Sequence, residues 1–124
     1  CTHVADRLAA GVKSITASPG AFAALKSLGE VVTWGRAGLG GDSIAVDDRL
    51  SAGVSSITGN AFAFAALKGS GQVVCWGRSD SGGDCTAVAD RLAAGVKSIT
   101  GNGAAFAALK HAGEVVTWGD ARYG

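Results

Sequence analysis

The stretch Gly29-Glu30-Val31-Val32-Thr33-Trp34-Gly35 returns as Gly71-Gln72-Val73-Val74-Cys75-Trp76-Gly77 and again as Gly113-Glu114-Val115-Val116-Thr117-Trp118-Gly119. Its tryptophans are 42 residues apart each time. A fixed period of about 20 to 50 residues marks stacked-repeat architectures, in which each unit buries its apolar face only against a neighbour. Residues 1–42, 43–84 and 85–124 superimpose without a gap, and the first and third agree at 30 of their 40 shared positions. A single repeat domain over residues 1–124 is the expected organisation.

Composition says what such units are made of. The chain holds 24 alanines against 28 Leu, Ile, Val and Phe, and no Met. Filling a core to interior density with side chains this small requires close backbone approach, as between stacked sheets. Twenty glycines and one proline suit many short strands joined by tight turns. A net charge of +1 leaves no electrostatic footprint for a phosphate backbone or an anionic lipid surface, so no nucleic acid partner is expected. The longest uncharged apolar run, Ala61 to Leu67, is seven residues, far below the roughly 20 needed to span a bilayer. The composition predicts a soluble chain with no membrane span. No signal-peptide pattern opens it, and the missing initiator Met predicts a processed chain or part of a longer product.

Within a repeat, Val4-Ala5-Asp6-Arg7-Leu8 and its counterparts Val46–Leu50 and Val88–Leu92 come first, followed by Gly11-Val12-Lys13-Ser14-Ile15-Thr16 and its copies. Val4, Leu8, Val12 and Ile15 fit one helical face, yet Gly11, Gly53 and Gly95 interrupt the pattern at about 1 kcal/mol each and β-branched residues follow. The favoured reading is a short extended segment, a Gly turn and a strand, with a helical turn at Asp6 to Ala10 as the alternative. A loop that differs in every copy leads into Ala21-Phe22-Ala23-Ala24-Leu25-Lys26, which alternates as a strand. Ser27-Leu28-Gly29 then reverses the chain into the Val-Val-Thr-Trp strand, a hairpin with Gly at its end. That strand is apolar on both faces and is expected to lie between layers. Polar, Gly-rich connections starting at Arg36, Arg78 and Asp120 close the units.

Taken together, Val12-x-x-Ile15, Phe22-Ala23-Ala24-Leu25-Lys26, Gly29 to Gly35 and Gly40-Gly41-Asp42 resemble the repeats of the regulator-of-chromosome-condensation family, three times over. The resemblance implies blades of four antiparallel strands assembled as a β-propeller. It also implies roles that are mostly protein–protein interaction, with nucleotide exchange on a small GTPase in the founding member. The 42-residue repeat is shorter than the family's usual unit, and three repeats are fewer than the four to eight blades of a closed ring. Nothing in the chain matches an exchange wedge, so exchange is not expected. The expected fold is all-β: three tandem four-stranded propeller-type blades, forming a partial propeller or one completed by oligomerisation. A compact threefold β-trefoil or β-prism body, or an α+β repeat with a short helix at Asp-Arg-Leu, are the alternatives.

A catalytic set needs several different groups in one place and should break the repeat. The residues that do so are sparse. His3 and His111 lie at unrelated phases and read as solvated loop residues. Asp6-Arg7, Asp48-Arg49 and Asp90-Arg91 read as a surface salt bridge or turn hydrogen bond remade in each unit. Asp42 and Asp84 follow paired glycines and read as turn caps, since one carboxylate per loop is too few ligands for calcium. No metal site, no cofactor and no phosphate loop is expected. Cys75 and Cys85, ten residues apart, either bridge adjacent strands or leave Cys75 free and buried beside Trp76; Cys1 shares repeat phase with Cys85. Each Trp reads as core packing rather than a sugar or base platform.

A non-enzymatic interaction or scaffold module is thus the leading expectation, binding a protein through connecting-loop residues Arg36, Arg78, Asp80, Arg122 and Tyr123. A small accessory subunit of a larger assembly, or a homo-oligomer, is the second. A threefold carbohydrate-binding domain is the third.

Overall fold

The Gly-x-Val-Val-x-Trp-Gly segment is the last strand of a three-stranded antiparallel sheet, and the chain builds that sheet three times. The computed structural model describes residues 11–27, 29–36, 53–78, 81, 83–85, 88 and 90–120. Its strands are β1 (Val12–Ala17), β2 (Ala21–Lys26) and β3 (Val31–Gly35), then β4 (Val54–Gly59), β5 (Ala63–Lys68) and β6 (Val73–Gly77), then β7 (Val96–Gly101), β8 (Ala105–Lys110) and β9 (Val115–Gly119). Sheet order follows chain order, so every connection inside a sheet is a hairpin. The described strands form three separate sheets, the propeller arrangement rather than the closed barrel of a trefoil.

Turn chemistry fixes the register. Lys68 N–H donates to Gln72 O at 2.8 Å and Gly71 N–H to Lys68 O at 2.9 Å, with Gly71 at φ 87°. This is the three-residue hairpin that ends on a left-handed residue, a conformation Gly adopts without a Cβ penalty. The same bonds close Lys26–Glu30 and Lys110–Glu114. The register that follows pairs Phe22 with Trp34, Phe64 with Trp76 and Phe106 with Trp118. Their rings stack at 5.3 to 5.5 Å between centroids. A register shift between Val12 and Ser14, repeated at Val54/Ser56 and Val96/Ser98, turns the first strand of each sheet.

Strand alternation gives every sheet two unequal faces. One carries Ile, Phe, Trp, Val and the third Ala of the central strand; the other carries the first two Ala of that strand with Leu and Val. The large faces of the second and third sheets pack on the small face of the sheet before. Phe64, Ala66, Val74 and Trp76 lie on Ala21, Ala23, Leu25 and Val31. Phe106, Ala108, Val116 and Trp118 lie on Ala63, Ala65, Leu67, Val73 and Cys75. Alanine opposite aromatic rings is how the sheets come close, which accounts for the alanine-rich composition.

Backbone contacts confirm that closeness. Thr16 Oγ1 donates to Ile57 O and Thr58 Oγ1 to Ile99 O, each at 3.3 Å, so the first strands of successive sheets are neighbours. Val54 N–H donates to Gly29 O and Val96 N–H to Gly71 O, each at 3.1 Å. A Cβ on Gly71 would lie 2.6 Å from Gly95 N.

The segment that opens a repeat differs from the favoured extended reading. In the third repeat Arg91 N–H donates to Val88 O at 3.0 Å and Leu92 N–H to Val88 O at 3.1 Å, which makes it a single tight turn. Leu92 is buried between the second and third sheets, and its carbonyl accepts from Val73 N–H at 3.0 Å. The turn spans Val88–Leu92, two residues ahead of the Asp90–Ala94 stretch equivalent to Asp6–Ala10, and it lets Val88 and Leu92, four apart, reach the core together. No α-helix occurs among the described residues, and each sheet has three strands rather than four. The corresponding segments Val4–Leu8 and Val46–Leu50 lie outside the described residues.

Candidate functional site

One end of the stacked sheets carries the turns Ser18–Gly20, Asn60–Phe62 and Asn102–Ala104, which differ between the repeats. There the turn between the first two strands of each sheet is tied to the residue that leaves the third strand. Arg36 N–H donates to Gly20 O at 2.7 Å, Arg78 N–H to Phe62 O at 2.9 Å and Asp120 N–H to Ala104 O at 3.0 Å. The turns of the second and third sheets also meet, through Ala61 N–H and Gly103 O at 3.2 Å. The backbone of this rim repeats while its side chains vary, with Arg at 36 and 78 and Asp at 120.

Asn60 shows how the rim is held. Its Oδ1 accepts from Phe62 N–H and Ala63 N–H, both at 2.8 Å, and its Nδ2 donates to Ser81 O at 2.7 Å. It is buried, and losing its partners would leave several backbone groups unsatisfied. Asn102 remakes the turn bonds with Ala104 N–H at 3.0 Å and Ala105 N–H at 2.9 Å. In the first repeat Ser18 stands there, and its hydroxyl reaches Ala21 O at 3.4 Å.

The exposed guanidinium of Arg78 lies 5.2 Å from the centre of the Phe62 ring. Such a cation–π contact is worth about 0.5–1 kcal/mol at an exposed site. It holds this guanidinium over the Phe62 ring. Ser81 N–H and Gly83 N–H both donate to Arg78 O, at 3.1 and 2.9 Å, folding the connection back on itself. That fold brings Cys85 to Cys75, whose sulfurs are bonded with Cα atoms 6.2 Å apart.

Of the residues the sequence singled out, Arg36 and Arg78 stand on this rim, both exposed. Asp80, Arg122 and Tyr123 lie outside the described residues, as do His3, Asp42 and Cys1. Sequence reasoning passed over Phe62, Asn60 and Asp120. The signal for Asn60 was present in Gly59-Asn60 and Gly101-Asn102, the one agreement within loops otherwise dissimilar.

The opposite end carries charges that are used internally. Arg91 Nη2 donates to Glu114 Oε2 at 2.8 Å, and Lys110 Nζ to Arg91 O at 2.7 Å. Arg91 therefore pairs with Glu114 on the next hairpin. Both side chains of this pair are half exposed, so it stabilises by about 1 kcal/mol at most. His111 is an exposed turn residue, and its N–H donates to Gly95 O at 2.9 Å. Among the described residues no group of three His, Cys, Asp or Glu side chains could hold a metal ion, and no helix is long and apolar enough to cross a membrane. Trp76 and Trp118 are buried between sheets and offer no stacking platform.

Three-stranded antiparallel sheets stacked large face on small face define a propeller-type repeat protein. Within that class, the solved structures that share this fold give its particular form. Prp20p of Saccharomyces cerevisiae, the yeast RCC1, superposes with a TM-score of 0.64 at 20% identity, over 87% of this chain and 30% of its own. Human WBSCR16 gives 0.61 at 20% identity, over 87% and 33%. The ectodomain of the Physcomitrella patens receptor kinase CR4 gives 0.56 at 20%, over 86% and 29%. The repeats have the RCC1-like propeller fold, and the chain spans about a third of the length of these proteins. No family model and no curated relative matches the sequence.

Proposed function

We propose that the chain is a non-enzymatic protein-interaction module whose partner surface is the rim carrying Arg36, Arg78 and the Asn60–Phe62 turn. The observation that carries this reading is a backbone repeated three times, with equivalent Arg36, Arg78 and Asp120 N–H bonds, whose turns Ser18–Gly20, Asn60–Phe62 and Asn102–Ala104 display different side chains. A rigid frame with variable loops is how recognition surfaces are built. Two cations set on one edge, one of them oriented by an aromatic ring, suit an acidic protein surface. Asp80, Arg122 and Tyr123 belong to the same connections in sequence and extend the surface in this reading. Neighbours of the same fold support it: yeast RCC1 has been solved with Kap60 bound, and Prp20p binds Gsp1p and histones. The turn at Val88–Leu92, bonded to the edge of β6, takes the fourth position of a blade in this reading.

Photo-crosslinking from Arg78 and from Ser70 on the opposite end, followed by binding of the recovered partner to purified protein, tests the proposal. Crosslinks from Arg78, with binding weakened at least tenfold in Arg36→Glu/Arg78→Glu and an unchanged unfolding midpoint, are expected. Binding that survives this change, or a catalytic turnover abolished by one substitution, overturns it.

A further inference from the structure

Two sheet faces in the described structure lack the cover that their counterparts have. On the small face of the third sheet Leu109 is 38% exposed and Val115 55%, while their counterparts Leu25 and Val31 are at 2% and 3% and Val73 is at 3%. On the large face of the first sheet Ile15 is 58% exposed and Phe22 41%, while Phe64 and Phe106 are at 0% and 2%. The residue types are the same in each set. What differs is the presence of a neighbouring sheet.

The two open faces are also the two halves of the contact already made twice inside the chain. A groove of about 200 Å³ on the third sheet is lined by Thr100, Ala105, Ala107 and Thr117 among others. At the equivalent place on the second sheet, Ala63, Ala65 and Cys75 receive Phe106 and Trp118. Backbone features agree. Val96 N–H bonds Gly71 O and leaves no space for a Cβ on Gly71, whereas a Cβ on Gly113 would meet nothing within 4 Å. Thr16 and Thr58 donate their hydroxyls to the next sheet, and Thr100, which holds the same position, is exposed.

We infer that a second copy of this chain docks head to tail: the Ile15–Phe22–Trp34 face of one copy seats on the Leu109–Val115–Thr117 face of the other. In this contact Phe22 and Trp34 fill the groove at Thr100, Ala105, Ala107 and Thr117. Val12 N–H meets Gly113 O, and the Thr100 hydroxyl meets Ile15 O. The occupant is fixed by complementarity, because among the described residues the surface that fits this small face, twice over, is the large face of another such sheet. The contact is heterologous, joining two different surfaces, and it closes into a ring or continues as an array according to its rotation. It leaves the Arg36–Arg78 rim free, so it stands or falls independently of the proposed partner surface.

Light scattering on the 124-residue chain across a wide concentration series tests it, with Val115→Lys disabling the small face and Phe22→Glu the large one. Wild type should rise above the 12.2 kDa of one chain with concentration, and each variant alone should stay at that mass. An equimolar mixture of the two variants should give twice that mass and no more, because one retains a working head and the other a working tail. A single-chain mass for wild type throughout, or variants that assemble as wild type does, overturns the inference. So does a mixture that stays monomeric. Leu109→Lys replaces Val115→Lys if circular dichroism shows the latter unfolded.

Discussion

Replacing Phe64 by Ala and, in a separate protein, Phe22 by Ala measures what the stacking of one sheet on another contributes. Phe64 is 0% exposed between the first and second sheets, and Phe22 holds the same position on the first sheet at 41% exposure. Full burial of such a side chain is worth about 1.5–3 kcal/mol by transfer alone, and the cavity left in a closed core raises the cost of Phe→Ala to about 3–5 kcal/mol. Phe22 keeps roughly three-fifths of that cover and opens on solvent, so its removal leaves no sealed cavity and should cost about 1–2 kcal/mol. Both substitutions delete a Phe–Trp stack of nearly the same geometry, so that contribution cancels in the difference. A gap of about 2–3 kcal/mol corresponds to roughly 30- to 150-fold in the unfolding equilibrium. Urea titration followed by tryptophan fluorescence and circular dichroism, at a concentration where wild type is monomeric, reads it directly if the slope is unchanged. Equal losses for the two substitutions, or a loss below about 1 kcal/mol for Phe64→Ala, would refute the stacking argument. At higher concentration the Phe22→Ala loss should grow, because a docked second copy covers Phe22.

Two further outcomes follow from particular contacts. Opening the Cys75–Cys85 bond, whose cysteines are ten residues apart, should lower stability by about 2.5–3 kcal/mol on the loop-closure estimate. Thermal unfolding with and without dithiothreitol, and with the Cys75→Ser/Cys85→Ser double variant, measures this, and an unmoved midpoint would contradict it. Gly71→Ala and Gly113→Ala both place Ala at a left-handed residue, costing about 1–2 kcal/mol each. Gly71→Ala adds a clash with the backbone of Gly95 that Gly113→Ala lacks, so it should be the more destabilising by at least another 1 kcal/mol or so in chemical denaturation. Equal costs would mean that the sheets do not approach closely at this turn.

Much of this architecture was legible in the sequence because period, alternation and turn chemistry agree. Ala21–Lys26 and Val31–Gly35 are strands at the bounds their alternation and flanking glycines imply, and their copies follow. The Val88–Leu92 segment was harder, since apolar residues four apart satisfy both a turn that points two side chains inward and a short extended run. A hydrogen bond from Leu92 N–H to Val88 O decides it, and such a bond leaves no periodic trace in five residues. At the rim, Arg36 and Arg78 were recognisable as charged positions after the Trp strand. The Phe62 partner of Arg78 was not, because it lies 16 residues away and meets the Arg only once the β5–β6 hairpin has formed. The cysteine pairing was undecided for the same reason: Ser81 and Gly83 must first bond back to Arg78 to carry Cys85 home.

The covering of both faces of the middle sheet sets a gradient of local opening along the chain. In a linear stack, each unit is held by its own bonds and by its nearest neighbours. The β4–β6 sheet has two neighbours, and each outer sheet has one. Amide exchange should therefore be slowest in β5, whose five residues Ala63–Leu67 are all buried, and faster in β2 and β8 although the six-residue sequence from Ala to Lys is identical in the three strands. Three copies of one sentence of sequence would then differ in stability, the middle one above the outer two, by position alone. Assembly of copies end to end would level that gradient, which makes exchange rates in β2 and β8 a readout of whether the outer faces are covered.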